Sequence, residues 1–428
     1  MENKFIEKYY IEELNIKKLW GVKDFFIGLD PNVNIIIGPN ASGKTTILNI
    51  LFYALTADLS SLLELMFEEI LIKLRTFDNL HERTVRINTG DGKLNIKIGT
   101  KAYKFDIDDL TTIRRPIYQR RIYEQQRNEV VNILGQLVPA VWLPVSRRLP
   151  VPEDESRESR VGRRTSLESV DEKLRQLQNE LINYRLKLDT QLNTRYKQFE
   201  KSIFQLLLYD KAYDAFDLKT TTFQTGDDKP HLLSAFRAAG VLDTEMRKRI
   251  DSHFDTAEKA AQRMSMYKLG EEGYEIEDLF ILPLIRRTGS MISLARGLEK
   301  DREEIFSPIM NFESIVRSFI KNKNVHILDD GRIQVTNIES KQAIGFNVLS
   351  SGEKQILILL IQALLWEDRP VVYVTDEPEL SLHVAWQEKL IQSLIKLGGE
   401  MQIIIATHSP DIIANFRDKV IDLEKASK

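Results

Sequence analysis

The chain has 428 residues, 43% of them hydrophobic, enough for two or three domains with substantial cores. It contains no cysteine, which excludes disulfides, thiolate zinc sites and cysteine nucleophiles and fits a reducing cytosol. A net charge of −3 argues against a protein that coats nucleic acid by bulk electrostatics. The opening segment MENKFIEKYY lacks the pattern of a signal peptide. The longest apolar run, Ile356 to Trp366, is interrupted by Gln362 and falls well short of the roughly 20 residues that span a bilayer. The expectation is a soluble, cytoplasmic protein of several parts with no membrane partner.

In chain order, Ile11 to Ile16, Asp24 to Leu29 and the tight apolar run Asn34 to Ile37 predict strands. A Gly-rich turn follows, then a helix over Thr45 to Ala57 with Ile47, Leu48, Leu51, Phe52 and Leu55 at helical spacing. A second helix is predicted over Ser60 to Leu74. Val85 to Ile87, Leu94 to Ile98 and Ala102 to Phe105 predict hairpin strands, with Asp91-Gly92 as a turn signal. A basic helical stretch leads to a buried strand at Val141 to Pro144. Arg147 to Ser169 is poor in apolar residues and predicts a mobile, solvated connection.

Beyond it, Leu167, Val170, Leu174, Leu177, Leu181, Tyr184 and Leu188 are spaced alternately by three and four residues, an a/d seam of about three heptads. A short paired coiled coil and the core of a plain helical bundle both fit this seam. Helices continue to about Arg263, with interruptions predicted at Gly226 to Pro230 and at Gly240. From Ile305 the pattern returns to mixed α/β. The expected division is an N-terminal lobe over 1–146, a helical insertion over 147–304 and a C-terminal lobe over 305–428. No internal repeat is detectable.

Four motifs carry chemistry. Gly38-Pro39-Asn40-Ala41-Ser42-Gly43-Lys44-Thr45 fits the phosphate loop GxxxxGK[ST] and lies between a predicted strand and helix. Such a loop turns successive backbone N–H groups onto phosphates, Lys44 adds a point charge, and Thr45 offers a hydroxyl to Mg²⁺. With Thr46 this predicts a nucleotide-binding stretch from Gly38 to Thr46. Val371 to Thr375 is an apolar strand ending in Asp376-Glu377, which places two carboxylates at the carboxyl end of a parallel sheet. Asp376 is the candidate Mg²⁺ ligand, through water, and Glu377 the candidate group that polarises the attacking water. Alone, this segment also fits an ordinary buried strand with a polar exit.

Leu349-Ser350-Ser351-Gly352-Glu353-Lys354-Gln355 opens a long apolar helix, and Ala406-Thr407-His408-Ser409-Pro410 follows the last apolar strand, Gln402 to Ile405. Taken alone, the first segment also fits a capping box, with Ser350 or Ser351 as N-cap and Glu353 completing it. The order phosphate loop, Ser-Ser-Gly-Glu, paired carboxylates and histidine resembles ABC-type ATPases of the RecF/SMC/OLD group.

That resemblance implies an α/β ABC-type P-loop ATPase head, a mixed or parallel sheet with flanking helices, carrying an inserted α-helical, short coiled-coil domain. It implies ATP and Mg²⁺ as cofactors. It makes Ser350, Ser351, Gly352 and Glu353 a signature that meets the γ-phosphate of ATP held by a second subunit. Ser351 stands where transporters have the first glycine, and Glu353 where they have glutamine. His408 becomes the switch histidine that joins Glu377 in catalysis. Glu379-Leu380-Ser381-Leu382-His383 becomes the loop across the dimer interface, with His383 an interfacial residue rather than a metal ligand. One phosphate loop and one signature per chain imply an isologous homo-oligomer, at least a dimer. The glutamine switch has four candidates, Gln119, Gln125, Gln126 and Gln136, none in a decisive context.

About 300 residues separate Thr46 from Leu349, too many for a transporter ATPase and too few for the arms of a chromosome SMC protein. Only 20 residues follow His408, which leaves no room for the nuclease domain of the OLD type. The remaining resemblance, over about residues 9–60 and 340–425, is to the ATPase components of bacterial anti-phage systems, AriA of PARIS ahead of PtuA of Septu. It implies an ATP-gated scaffold for a separately encoded effector, such as a nuclease, with output through the central helices. The alternative is a RecF-like repair ATPase clamping duplex DNA, with Arg114-Arg115, Arg120-Arg121, Arg147-Arg148 and Arg163-Arg164 on phosphates. Those pairs are interleaved with acidic residues, as on a solvated mixed face. Duplex binding that weakens steeply with salt would mark the clamp.

Overall fold

A computed structural model describes residues 8–107, 117–143, 170–210, 225–238, 241–268, 276–367 and 369–427. The chain forms two compact units, one of residues 1–182 with 311–428 and one of residues 183–310.

In the first unit, six antiparallel strands lie in the order β2-β1-β4-β5-β6-β7. They are β1 (Tyr9–Leu19), β2 (Lys23–Gly28), β4 (Glu69–Thr76), β5 (Glu82–Gly90), β6 (Lys93–Ile98) and β7 (Lys101–Asp106). A five-stranded parallel sheet has the order β14-β3-β13-β12-β8. It is built from β3 (Val33–Ile37), β8 (Ala140–Trp142), β12 (Val371–Asp376), β13 (Met401–Ala406) and β14 (Val420–Asp422). The long apolar runs of β12 and β13 suit strands buried on both faces. The helix α1 (Lys44–Thr56) shares one hydrophobic core with both sheets: Ile47, Leu48 and Leu51 cluster with Leu14, Ile16 and Ile72 and with Ile36, Val374 and Ile404. A small antiparallel sheet of β9 (Lys323–Ile327), β10 (Ile333–Asn337) and β11 (Ala343–Ile344) completes the strands; it has no counterpart in the sequence reading.

The predicted helix over Ser60 to Leu74 is not found. A five-residue helix, α2 (Leu59–Leu63), stops early, and β4 takes Ile70, Ile72 and Leu74 into the core and turns Glu69, Lys73 and Arg75 outward. The apolar density of LLELMFEEILIKL satisfies both periods, and pairing with β1 and β5 selects the strand. Asp91-Gly92 makes the predicted tight turn, with φ of 52° and 71° as a type I′ hairpin requires.

A bulge in β1 between Ile11 and Glu13 is filled by a buried glutamine. Gln402 Oε1 accepts from the Ile11 N–H at 2.9 Å, and its Nε2 donates to the carbonyls of Ile11 at 2.7 Å and Asp30 at 2.9 Å. One side chain of the parallel sheet thereby satisfies the Ile11 backbone groups beside the bulge and reaches the loop after β2.

The remaining helices are α3 (Ile117–Leu137), α4 (Val170–Leu206), α5 (Thr225–Ala238), α6 (Thr244–Lys268) and α7 (Ile276–Phe319), then α8 (Ser351–Leu365), α9 (Val384–Leu397), α10 (Pro410–Ile413) and α11 (Leu423–Ala426). Along α4 the seam residues Leu174, Leu177, Leu181, Tyr184 and Leu188 are all buried, while Val170 is exposed. Pro230 does not end the helix: it lies inside α5. Nor does mixed structure resume at Ile305, since α7 runs on to Phe319. In the helical unit, Leu232, Ile250, Phe254 and Ile292 form a core joining α5, α6 and α7. Gly240 and the predicted connection over 147–169 lie outside the described residues.

The two units part within α4 and α7, at 182/183 and 310/311. One contact that keeps the start of α4 in the first unit is an ion pair of 2.7 Å between Asp171 and Lys354 of α8.

Candidate functional site

The turn after β3 is built for close backbone approach. Ala41 and Gly43 have φ of 63° and 103°, the left-handed region. A Cβ on Gly43 would lie 2.7 Å from the Trp20 ring, so this glycine is required both by conformation and by space. The Lys44 side chain, only 7% exposed, folds back to donate to the carbonyls of Gly38 at 2.8 Å and Pro39 at 3.0 Å. Asn40 and Ala41 line a small concavity of about 220 Å³ with Pro39, Ser42 and Leu423. Ser42 Oγ is buried without a hydrogen-bond partner. Thr45 and Thr46 lie in the first turn of α1.

Parallel pairing of β3 with β13 and of β13 with β12 places the end of β12 beside this turn. Thr45 Oγ1 donates to Asp376 Oδ2 at 2.7 Å, and Asp376 Oδ1 is buried and unpaired. Burial pushes the Asp376 carboxyl above its ordinary range; the Thr45 hydroxyl and the Lys44 charge only partly oppose this. A hydroxyl and an under-satisfied carboxylate at this separation fit a divalent cation, which would relieve both the orphaned oxygen and the charge. Among the described residues no group of three or more histidine or acidic side chains is placed to hold a metal ion. Thr375, polar within an apolar strand, is 1% exposed and donates to the Leu143 carbonyl at 3.2 Å.

Glu377 follows with φ of 49°, its N–H bonded to the Ala406 carbonyl at 2.7 Å and its side chain half-buried. His408 is exposed at the end of β13. Its N–H and the Thr407 hydroxyl both donate to Glu379 Oε1, at 2.9 and 2.6 Å. Glu379 Oε2 is the third orphaned polar atom here, with Ser42 Oγ and Asp376 Oδ1. Phosphate loop, Asp376 and the histidine segment are thus joined by short polar contacts and by adjacent strands.

The Ser350 segment is tied elsewhere. Ser350 is the N-cap of α8, with both bonds of a capping box: its Oγ accepts from the Glu353 N–H at 3.3 Å, and its own N–H donates to Glu353 Oε2 at 2.7 Å. Glu353 is also paired with Lys323 at 2.6 Å; burial alone would raise its carboxyl, but the bonds from Lys323 and Ser350 outweigh it and hold the group below the ordinary range. Ser350 and Ser351 are exposed, whereas Gly352 is buried: a Cβ there would lie 2.6 Å from the Ser381 carbonyl. His383 caps α9, its Nδ1 accepting from the Ala385 N–H at 3.2 Å.

Of the glutamine candidates, Gln125 and Gln136 are exposed on α3 and Gln126 is half-buried; the Gln119 side chain lies outside the described residues, as do Arg114-Arg115, Arg147-Arg148 and Arg163-Arg164. Sequence reasoning passed over Trp20, Gln387, Lys323 and Asp171, and assigned Glu379 no role of its own. Trp20 had one local signal, a bulky aromatic before glycine in a turn. The others are revealed only by their partners.

A profile of the family described as AAA ATPase domain, AAA_15, matches residues 10–413. Over 95 residues the chain is 35% identical to a putative ABC transporter ATP-binding protein of Clostridium acetobutylicum, a stretch covering 22% of this chain and 33% of that protein. Among solved structures it is similar to the Smc head domain with an extended coiled coil, bound to the C-terminal domain of ScpA, from Pyrococcus furiosus: TM-score 0.44, 17% identity, 98% of each chain covered. It is also similar to the SMC head domain from Thermotoga maritima, at TM-score 0.40 and 11% identity over 95% of this chain and 91% of that one.

Proposed function

This chain belongs to the AAA ATPase domain family, AAA_15, and on that premise we propose that it is an ABC-type ATPase working as a head-to-tail pair and gating a separate effector. The observation that carries this reading is the 2.7 Å bond from Thr45 to Asp376, residues 331 positions apart, beside a buried lysine and an unpaired carboxylate oxygen.

In this reading Lys44 releases the Gly38 and Pro39 carbonyls and turns its ammonium onto the β- and γ-phosphates of ATP. Backbone N–H groups from Gly38 to Thr46 and the N-terminus of α1 hold the same phosphates. Thr45 Oγ1 and Asp376 would hold a magnesium ion bound with ATP, which would supply charge neutralisation on the transferring phosphoryl group. Glu377, at the strand end next to Asp376, orients the attacking water and accepts its proton. His408 presents its exposed imidazole to the γ-phosphate. Trp20, 40% exposed and packed on Gly43, offers a flat face to the adenine base.

Each chain carries one phosphate loop and one signature, so two copies related by a twofold axis complete two sites. Ser350 Oγ and the N–H groups of Ser351 and Gly352 would reach the γ-phosphate of the partner copy. Glu353 acts through the cap that holds Ser350, since its carboxylate is already bound to the Ser350 N–H and Lys323. Output passes along α4 and α7 into the helical unit, where a separately encoded effector, a nuclease in the anti-phage systems this chain resembles, is held or released.

The trans arrangement is tested by mixing. Lys44→Ala and Ser350→Arg should each abolish ATP hydrolysis alone. In a mixed dimer one site carries both lesions and the other neither, so part of the activity should return. Mixed dimers that form but stay inactive would sink the arrangement.

A further inference from the structure

The loop between β12 and α9 is fastened to the histidine segment by two side chains. Glu379 Oε1 accepts from Thr407 Oγ1 at 2.6 Å and from the His408 N–H at 2.9 Å. Thr407 is fully buried; its Oγ1 accepts in turn from the Ser409 N–H at 2.9 Å, and its own N–H donates to the Ile36 carbonyl at the end of β3, at 3.2 Å. From the first turn of α9, Gln387 Nε2 donates to the Leu382 carbonyl at 2.9 Å, and its Oε1 accepts from Ser409 Oγ at 2.7 Å. The backbone around His408 is therefore held on several sides while its imidazole is exposed.

Among these tethers Glu379 alone touches the His408 backbone with a side chain. A carboxylate accepting two hydrogen bonds on one oxygen makes them shorter and stronger than a neutral acceptor would. Its second oxygen is buried without a partner, which carries a desolvation cost.

We propose that Glu379 is the positioning residue of His408: through the His408 N–H and the Thr407 hydroxyl it fixes the imidazole against the γ-phosphate. It governs turnover and leaves nucleotide affinity alone. The proposal rests on the role given to His408 above.

The test compares ATP hydrolysis and ATP binding in the full chain for His408→Ala, Glu379→Ala, Glu379→Gln and Thr407→Val. Glu379→Ala should lower kcat about tenfold or more, with KM and the Kd for ATP within about twofold of the parent. Glu379→Gln should keep at least about a third of the turnover, because its amide oxygen can accept the same two bonds. Parental kcat in Glu379→Ala, equal losses in Glu379→Ala and Glu379→Gln, or a weakened ATP affinity that tracks kcat would each overturn the proposal. If Glu379→Ala does not fold, Thr407→Val decides: it should lose kcat at unchanged ATP affinity, and parental kcat refutes the link. His408→Ala turning over at the parental rate would show that the reading of His408 itself is wrong, and the proposal would fall with it.

Discussion

Lys44 stands poised rather than idle. Its ammonium is stripped of most water and satisfied by two neutral carbonyls of its own loop, which phosphate oxygens would replace with acceptors of opposite charge. Lys44→Ala should weaken ATP binding by about 1.5–3 kcal/mol, more than tenfold, in a calorimetric titration; unchanged affinity would defeat the phosphate-loop assignment. Gly43 is held to glycine twice over, by a φ of 103° and by the Trp20 ring, so an alanine there would displace the indole as well as strain the turn. Gly352 is constrained by proximity alone, because the Ser381 carbonyl occupies the space of a side chain.

Within the elements, the decisive side chain is Gln402. It is 1% exposed and completes the hydrogen bonding of a bulged strand in the other sheet. Gln402→Leu keeps the size and removes the bonds to the Ile11 N–H and carbonyl, while the Asp30 carbonyl keeps its bond from Asn34 Nδ2 at 2.8 Å. It should cost about 2–4 kcal/mol, read as a lowered midpoint in denaturant unfolding with an unchanged slope. An unaltered midpoint would mean that the strands relax or that water replaces the amide. The seam of α4 shows what periodicity can predict: Leu174 through Leu188 repeat at helical spacing and are buried as a stripe. β4 shows where it fails, since its residues fit a helix equally well until β1 and β5 claim their backbone groups.

For the whole molecule, the proposed pair requires ATP as part of its interface. Ser350 and Ser351 are exposed at the start of α8, and the helix dipole there favours an anion brought by another copy. Glu377→Gln should bind ATP, stall before hydrolysis and shift to twice the mass in sedimentation when ATP is added. Adding Ser350→Arg to it should prevent the shift. Dimers of equal strength with and without ATP would contradict the gating role.

The four motifs and their order were readable without coordinates because their chemistry is local. A glycine-rich turn between strand and helix, a strand ending in two acids, a capped helix and a histidine after the last strand each lie within about ten residues of sequence. Class, nucleotide and the candidate residues from Gly38 to Thr46, with Asp376, Glu377 and His408, follow from that. The tertiary structure alone decided other meetings: Glu379 with His408, Gly352 with Ser381, Glu353 with Lys323 and Lys354 with Asp171. These pairings depend on the strand order β14-β3-β13-β12-β8 and on where the helices return to the sheet. Periodicity reports which face of an element is buried, but not which distant element covers it.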